Sequence, residues 1–215
     1  MDESGHWNAV YQGREPDGLS WYQAHARRSL GLIDASGTAS DAPLIDVGGG
    51  TSPLAADLLA RGFRELWLLD LSTAALDLSR TSLGEDAVRV HFVAGDACSV
   101  ALPSAYFAVW HDRAVFHFLT DPGKRAAYVE QAWDAVAPGG HLIIATFAED
   151  GPRRCSGLPV MRYSAEELAA QFASGFDLLG SEREMHRTPA GEVQSFVYCL
   201  LRRAGAKARG GGAMG

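Results

Sequence analysis

No stretch of this chain approaches the roughly 18 consecutive apolar residues that a membrane-spanning helix needs, so no membrane partner is expected. Cysteine is scarce. Cys98, Cys155 and Cys199 are the only three, far apart, with no CxxC pair and no zinc-finger spacing. Neither a disulfide framework nor a metal site follows from that pattern, and reduced thiols of a cytoplasmic protein are expected. Excess positive charge is also missing: the formal net charge is −7, which disfavours a sequence-independent grip on nucleic-acid phosphates. The opening Met1-Asp2-Glu3-Ser4-Gly5-His6 lacks the basic start and apolar core of a signal peptide, so none is expected. No internal repeat is apparent.

What is present suits a globular enzyme-sized domain. The chain has 215 residues, 47% hydrophobic and 21% charged, enough for one substantial core. Its organising stretch is Pro43-Leu44-Ile45-Asp46-Val47-Gly48-Gly49-Gly50-Thr51-Ser52-Pro53. Leu44, Ile45 and Val47 read as a short buried strand. The glycines supply positive φ and room for a ligand against bare backbone. Ser52 as N-cap and Pro53 at the first helical position would open a helix. Strand, glycine loop and helix start together form the ligand cradle of doubly wound α/β proteins.

Residues 1–40 form an aromatic N-terminal arm, with Trp7, Tyr11, Trp21 and Tyr22 among polar residues and turn signals at Gly13 and Pro16-Asp17-Gly18. Four large aromatics are unusual in a disordered tail. Two readings stand: a clamp packed on the domain, or a lid over a ligand. Ser20 through Ile33 predicts a short helix. The main domain then spans 41–203, and 204–215 reads as a disordered tail.

Further strands are expected at Leu66–Asp70, Val88–Val93, Tyr106–Trp110 and His141–Phe147. Helices are expected behind Ser72, behind Asp121-Pro122, and from the Ser164/Glu167 capping box. Pro138-Gly139-Gly140 reads as a turn, and Phe176–Glu184 with Val193–Leu201 as a closing strand pair. The fold class is therefore α/β: a Rossmann-like, doubly wound, mainly parallel seven-stranded sheet with a C-terminal antiparallel strand. Ligands of such sheets bind beyond the carboxyl ends of the strands. Those ends carry Asp46–Gly48, Asp70, Asp96 and His111-Asp112-Arg113.

Two nucleotide ligands compete for this rim. A dinucleotide fingerprint would want glycine where Pro53 stands. S-adenosylmethionine (SAM) has no pyrophosphate and needs backbone room for its methionine part, while Asp70 suits the ribose hydroxyls of either ligand. Asp46-Val47-Gly48-Gly49-Gly50-Thr51 resembles motif I of the class I SAM-dependent methyltransferases. Asp70, Gly95-Asp96-Ala97 and Pro138-Gly139-Gly140 match that family's later landmarks in order. The resemblance covers about residues 40–147, and it implies SAM as cofactor and S-adenosylhomocysteine (SAH) as product. It also implies roles: Asp70 on the ribose, Asp96 on the adenine amino group, Leu71 and Ala97 on the ring, and Gly48 and Gly50 against the methionine part. Asp46, Gly49, His111 and the arm residues Trp7, Tyr11 and Trp21 are also expected to contact the cofactor.

A narrower likeness joins Trp7-x-x-x-Tyr11, Ser20-Trp21-Tyr22 and Trp110-His111-Asp112-Arg113. It resembles a bacterial branch of type 12, methyltransferase-domain 25-like enzymes, similar to the lysine methyltransferases of citrate synthase and elongation factors. Those usually carry Gly-Thr after strand four, where this chain has Ala114-Val115. A small-molecule acceptor is therefore expected first and a protein lysine second. A thiol or metalloid methyltransferase, a nicotinamide oxidoreductase and an inactive SAM-binding protein stand as lesser alternatives, in a monomer or homodimer.

Methyl transfer from a sulfonium relies on proximity and alignment, and aromatic faces suit the cation. Trp7, Tyr11 and Trp21 are accordingly lid candidates. His111, Asp112 and Arg113 are the catalytic candidates, with His111 as proton acceptor or cofactor contact. Arg113 would orient a carboxylate or pair with Asp112. His117 reads as a satisfied structural histidine. The Gly- and Pro-bearing loop at 150–163, with Arg154, Cys155 and Arg162, is expected to meet substrate.

Overall fold

Alternation of short apolar strands with helices leaves few ways to bury both sheet faces, and the doubly wound arrangement is the one adopted. A computed structural model describes residues 3–13 and 15–205. Its strands are β1 (Leu44–Val47), β2 (Leu66–Asp70), β3 (Val90–Ala94), β4 (Phe107–Arg113), β5 (Val136–Phe147), the two-residue pair β6 (Arg154–Cys155) and β7 (Leu158–Pro159), β8 (Phe176–Arg187) and β9 (Val193–Arg203). The seven-stranded sheet runs β3-β2-β1-β4-β5-β9-β8. β1 to β5 are mutually parallel, and β9 runs antiparallel to both of its neighbours. The expected seven-stranded α/β sheet is thus the observed one. Strand order reverses between β1 and β4, and that gap is where such sheets take ligands.

Helices α1 (Glu3–Gln12), α2 (Arg27–Ala35), α3 (Leu54–Ala60), α4 (Thr73–Leu83), α5 (Pro122–Ala135) and α6 (Ala165–Phe172) complete the fold. One face of the sheet packs Leu44, Leu68 and Val109 against Leu30, Ile33 and Leu58 of α2 and α3. The other packs Ile45, Trp110 and Ile144 against Tyr128, Ala132 and Phe172 of α5 and α6. Local signals set the helix ends. Ser72 accepts from the Ala75 N–H, and Asp121 accepts from the Lys124 N–H with Pro122 behind it. The Ser164–Glu167 capping box forms in both directions.

Three expectations shift. The helix expected from Ser20 begins only at Arg27, because the preceding backbone is spent on distant partners. The Ala26 N–H donates to Asp57, the Trp21 carbonyl accepts from Arg113, and the Ser20 carbonyl accepts from His186. β4 extends to Arg113, so His111-Asp112-Arg113 are strand residues rather than loop. Pro138-Gly139-Gly140 lies inside β5 as a bulge: pairing jumps from Phe107–Val136 to Val109–His141, with Gly139 at φ 76°. At the C-terminus the Ala204 N–H still reaches the Gly175 carbonyl at 2.8 Å. The rest of the expected tail, 206–215, lies outside the described residues.

Candidate functional site

At the carboxyl ends of β1, β2 and β4 lies a cleft of about 950 Å³, counting its space open to solvent. Its floor is bare backbone. Gly48 has φ 65°, and a Cβ there would sit 2.0 Å from Val115, so a side chain at this position would collide with the turn after β4. At Gly50, φ 40°, a Cβ would sit 2.5 Å from the Tyr11 hydroxyl and 3.1 Å from Asp70 Oδ2. The loop carries glycines because a carboxylate and a tyrosine close on it from both sides.

Asp70 ends β2, where its Oδ1 accepts the Ser72 N–H at 2.8 Å. Burial pushes its carboxyl up to about 7, against backbone hydrogen bonds that pull it down. Asp96 follows β3, and its Oδ1 accepts the Cys98 N–H at 2.8 Å, leaving it on the cleft wall beside Leu71 and Ala97.

The arm roofs this cleft. Asn8 Oδ1 accepts from the Ser72 hydroxyl at 2.8 Å and the Ala74 N–H at 3.2 Å, acting as a second cap on α4. Glu3 pairs with Lys124 of α5 at 2.5 Å, so α1 spans from one helix to the other. Beneath it Trp7 meets Phe118 edge-on at 4.9 Å and Trp21 at 6.1 Å, while Tyr11 meets Trp21 at 6.0 Å. Burial and the Asp70 charge raise Tyr11 well above the usual phenol range, so it stays a neutral donor. Trp7, Tyr11 and Trp21 all line the cleft.

The far end has different chemistry. Arg113, Cys155, Gln194, Phe147 and Phe196 line it. Arg113 Nε donates to Tyr198 at 2.8 Å, Nη1 donates to the Trp21 carbonyl at 3.2 Å, and the guanidinium lies 4.4 Å over Phe196. Its Nη2 stands 3.6 Å from Glu184 and is buried without a hydrogen-bond partner. Cys155 arrives from the turn Cys155-Ser156-Gly157-Leu158, where Ser156 and Gly157 take φ 48° and 80°. Burial raises its thiol, so it faces the cleft uncharged.

The three catalytic candidates separate. Adjacent strand residues point to opposite faces, so Asp112 and Arg113 form no ion pair, contrary to one expectation. Asp112, fully buried, accepts from the Val115 and Phe116 N–H groups at 2.8 and 3.0 Å and from the Tyr128 hydroxyl. Burial raises it to about 6. It fastens the turn after β4 and lines no part of the cleft. His111 is 2% exposed with both ring nitrogens engaged, to Asp46 and Ser29. It belongs with Asp46 and Gly49 to a smaller pocket beside the main one. Only Arg113 faces the main cleft. His117 is buried and, lowered to about 3 by burial and Arg113, uncharged, but its Nε2 has no partner, unlike the satisfied histidine expected.

Of the substrate-loop residues, Cys155 reaches the cleft. Arg154 folds back on the Gly157 carbonyl and Arg162 donates to the Gly151 carbonyl at 3.2 Å. Sequence reasoning missed Gln194 and Phe196. They sit on β9, some 80 residues beyond Arg113, and carry no local signal.

A mainly parallel sheet in this order, with a glycine loop and strand-end acids at its switch point, is the fold of the class I SAM-dependent methyltransferases. Residues 44–140 match the family model of the methyltransferase domain, and that match together with the similar solved structures supports a class I SAM-dependent methyltransferase with SAM as cofactor. The ubiquinone/menaquinone biosynthesis C-methyltransferase of Vibrio parahaemolyticus is 26% identical over 121 residues, 54% of this chain and 46% of that protein. The chain therefore spans about half the length of the curated relatives it matches.

Among solved structures, one concerns conversion of a disulfide bond into a thioacetal group during echinomycin biosynthesis. It superposes with a TM-score of 0.78 at 20% identity, covering 96% of this chain and 95% of that one. The Burkholderia thailandensis 1,6-didemethyltoxoflavin-N1-methyltransferase, solved with its substrate and SAH, gives 0.71 at 24% identity, covering 94% and 86%. Among the described residues no helix is long and apolar enough to cross a membrane, and no cluster could hold a metal ion.

Proposed function

We propose that this chain transfers the methyl group of SAM to a small-molecule acceptor held at the Arg113–Cys155 end of the cleft. Bound SAM supplies an electrophilic methyl on sulfur. The residues present fit it: Gly48 lines the cleft with no side chain to bar the methionine part, Asp70 is set to accept ribose hydroxyls, and Asp96 with Leu71 and Ala97 frames the base. Trp7, Tyr11 and Trp21 cover the cofactor with aromatic faces that favour a cation. Water is excluded by the same roof, which suits a displacement driven by alignment.

One observation carries the choice of acceptor. The far end of the cleft presents a guanidinium, a neutral thiol, an amide and two phenyl rings, with no carboxylate on its lining. A lysine ammonium placed there would meet Arg113 across a few ångström of poorly solvated space, a repulsive arrangement. A flat, mostly apolar molecule with a hydrogen-bond-accepting oxygen or nitrogen meets complementary groups instead. The similar Burkholderia thailandensis enzyme is a methyltransferase of 1,6-didemethyltoxoflavin, a small molecule, in keeping with this reading. Aligned groups rather than a dedicated base would do the work, because His111 and Asp112 are both committed elsewhere.

The test is to incubate cell extract with the protein and methyl-labelled SAM. Label in the small-molecule fraction supports the proposal. Label confined to a protein band transfers the assignment to a protein acceptor.

A further inference from the structure

Beside the main cleft, under the glycine loop, is a smaller pocket lined by Ser29, Asp46, Gly49 and His111. Asp46 on β1 and His111 on β4 are register partners in neighbouring parallel strands, so their side chains leave the sheet on the same face. That is the face covered by α2, which brings Ser29. His111 Nδ1 lies 2.7 Å from Asp46 Oδ1 and its Nε2 lies 2.8 Å from Ser29 Oγ. The three residues are 4% exposed or less. A carboxylate can only accept, so the hydrogen resides on Nδ1 and points at Asp46.

The other oxygen of that carboxylate is the unusual one. Asp46 Oδ2 is buried without any partner, an arrangement that folding disfavours. It points at the glycine loop, since a Cβ on Gly49 would lie 2.6 Å from it. The ring therefore fixes the carboxylate through one oxygen and leaves the second facing the loop on which the methionine part of SAM would rest.

Resting on the SAM reading above, we propose that His111 is a positioning residue: clamped by Ser29, it turns Asp46 so that Oδ2 receives the ammonium group at the amino-acid end of the cofactor. His111 does not touch the reacting atoms and has no free nitrogen to act as a base. The same three side chains stand in the order of a nucleophile relay, but the Ser29 hydroxyl is sealed between α2 and the sheet, out of a substrate's reach.

The test separates the two ends of the imidazole. His111→Asn keeps a donor near the Nδ1 position and loses the Ser29 contact, whereas His111→Gln keeps only the Nε2 end. Affinities are measured for SAH and for 5′-methylthioadenosine, which shares the nucleoside but lacks the amino-acid end. His111→Gln is expected to weaken SAH about tenfold and methylthioadenosine less than about twofold, with His111→Asn within about threefold of wild type for both. Equal losses for the two ligands, no loss, or His111→Asn as poor as His111→Gln would overturn the proposal.

Should His111→Gln not fold, Ser29→Ala serves in its place. It is expected to weaken SAH about threefold and leave methylthioadenosine unchanged, and equal shifts or none count against the clamp. Wild-type protein that binds neither ligand would remove the SAM reading itself. Wild type that binds methylthioadenosine as tightly as SAH would overturn only the role given to Asp46 and His111.

Discussion

The two ends of the cleft are built by opposite strategies. The β1–β2–β3 end offers backbone and carboxylates: Gly48, Gly50, Asp70 and Asp96 sit where strands end, each placed by its own few neighbours in sequence. The β4–β5–β9 end offers Arg113, Cys155, Gln194 and Phe196, drawn from three separate segments and held by long-range contacts. A local turn can specify a site for a constant ligand. A site assembled from distant segments can vary its lining without disturbing that turn, and this is the division expected of an enzyme family with one cofactor and many acceptors.

The comparison breaks most readily at Asp70. A carboxylate accepting two ribose hydroxyls contributes charge-assisted hydrogen bonds, so Asp70→Ala should weaken SAH about a hundredfold by calorimetry. Asp70→Asn should also weaken binding while raising the melting temperature of the free protein, because it removes a buried charge. A variant that loses stability and keeps affinity would deny Asp70 its role.

At the opposite end, Arg113→Gln should lower turnover about tenfold or more once an acceptor is in hand, with SAH affinity unchanged within about twofold. It also leaves Tyr198 and Glu184 short of a partner, a cost of about 1–3 kcal/mol in stability. Equal loss of cofactor binding and turnover would erase the division between the ends.

A titration gives a smaller effect. Asp70 is raised to about 7 by burial, so below that pH the free protein holds the proton and ribose binding must compete with it. SAH affinity should fall as pH drops from 8 to 6, by at most about tenfold per unit. Stability of the free protein moves the other way. A carboxyl whose folded pKa is raised contributes stability that is complete below its unfolded value of about 4 and lost as pH rises through about 7. Asp112, raised to about 6, has the same sign. Thermal melts of wild type and Asp70→Asn between pH 5 and 8 check this, the variant showing the flatter profile.

The smallest change concerns the roof. Asn8→Ala removes the acceptor that ties α1 to α4 and should speed SAH release about threefold, read by stopped-flow tryptophan fluorescence, for a loss of about 1 kcal/mol. No change in release would make the arm a passive clamp.

What the sequence disclosed follows the same division. Glycine loop, strand-end acids and helix caps are local features, so the elements of the β1–β3 half are legible in the spacing, while the roles of their residues come from the family resemblance. Errors gathered at β4. Reading Trp110 as the strand's end put His111, Asp112 and Arg113 in one loop, able to act together. Three more strand residues send Asp112 to Tyr128 on one face, and His111 and Arg113 to Ser29 and Tyr198 on the other. The late start of α2 has a similar origin, since residues 20–26 carry helical spacing but give their backbone groups to Asp57, Arg113 and His186. Such contacts have no sequence signature, because their partners lie tens of residues away.

Calorimetric titration of SAH into the purified chain tests the central claim most directly. The account predicts one site with a dissociation constant in the micromolar range or tighter, roughly −8 kcal/mol, and no comparable heat from NAD. Absence of binding at millimolar SAH, or tighter binding of NAD, would contradict it.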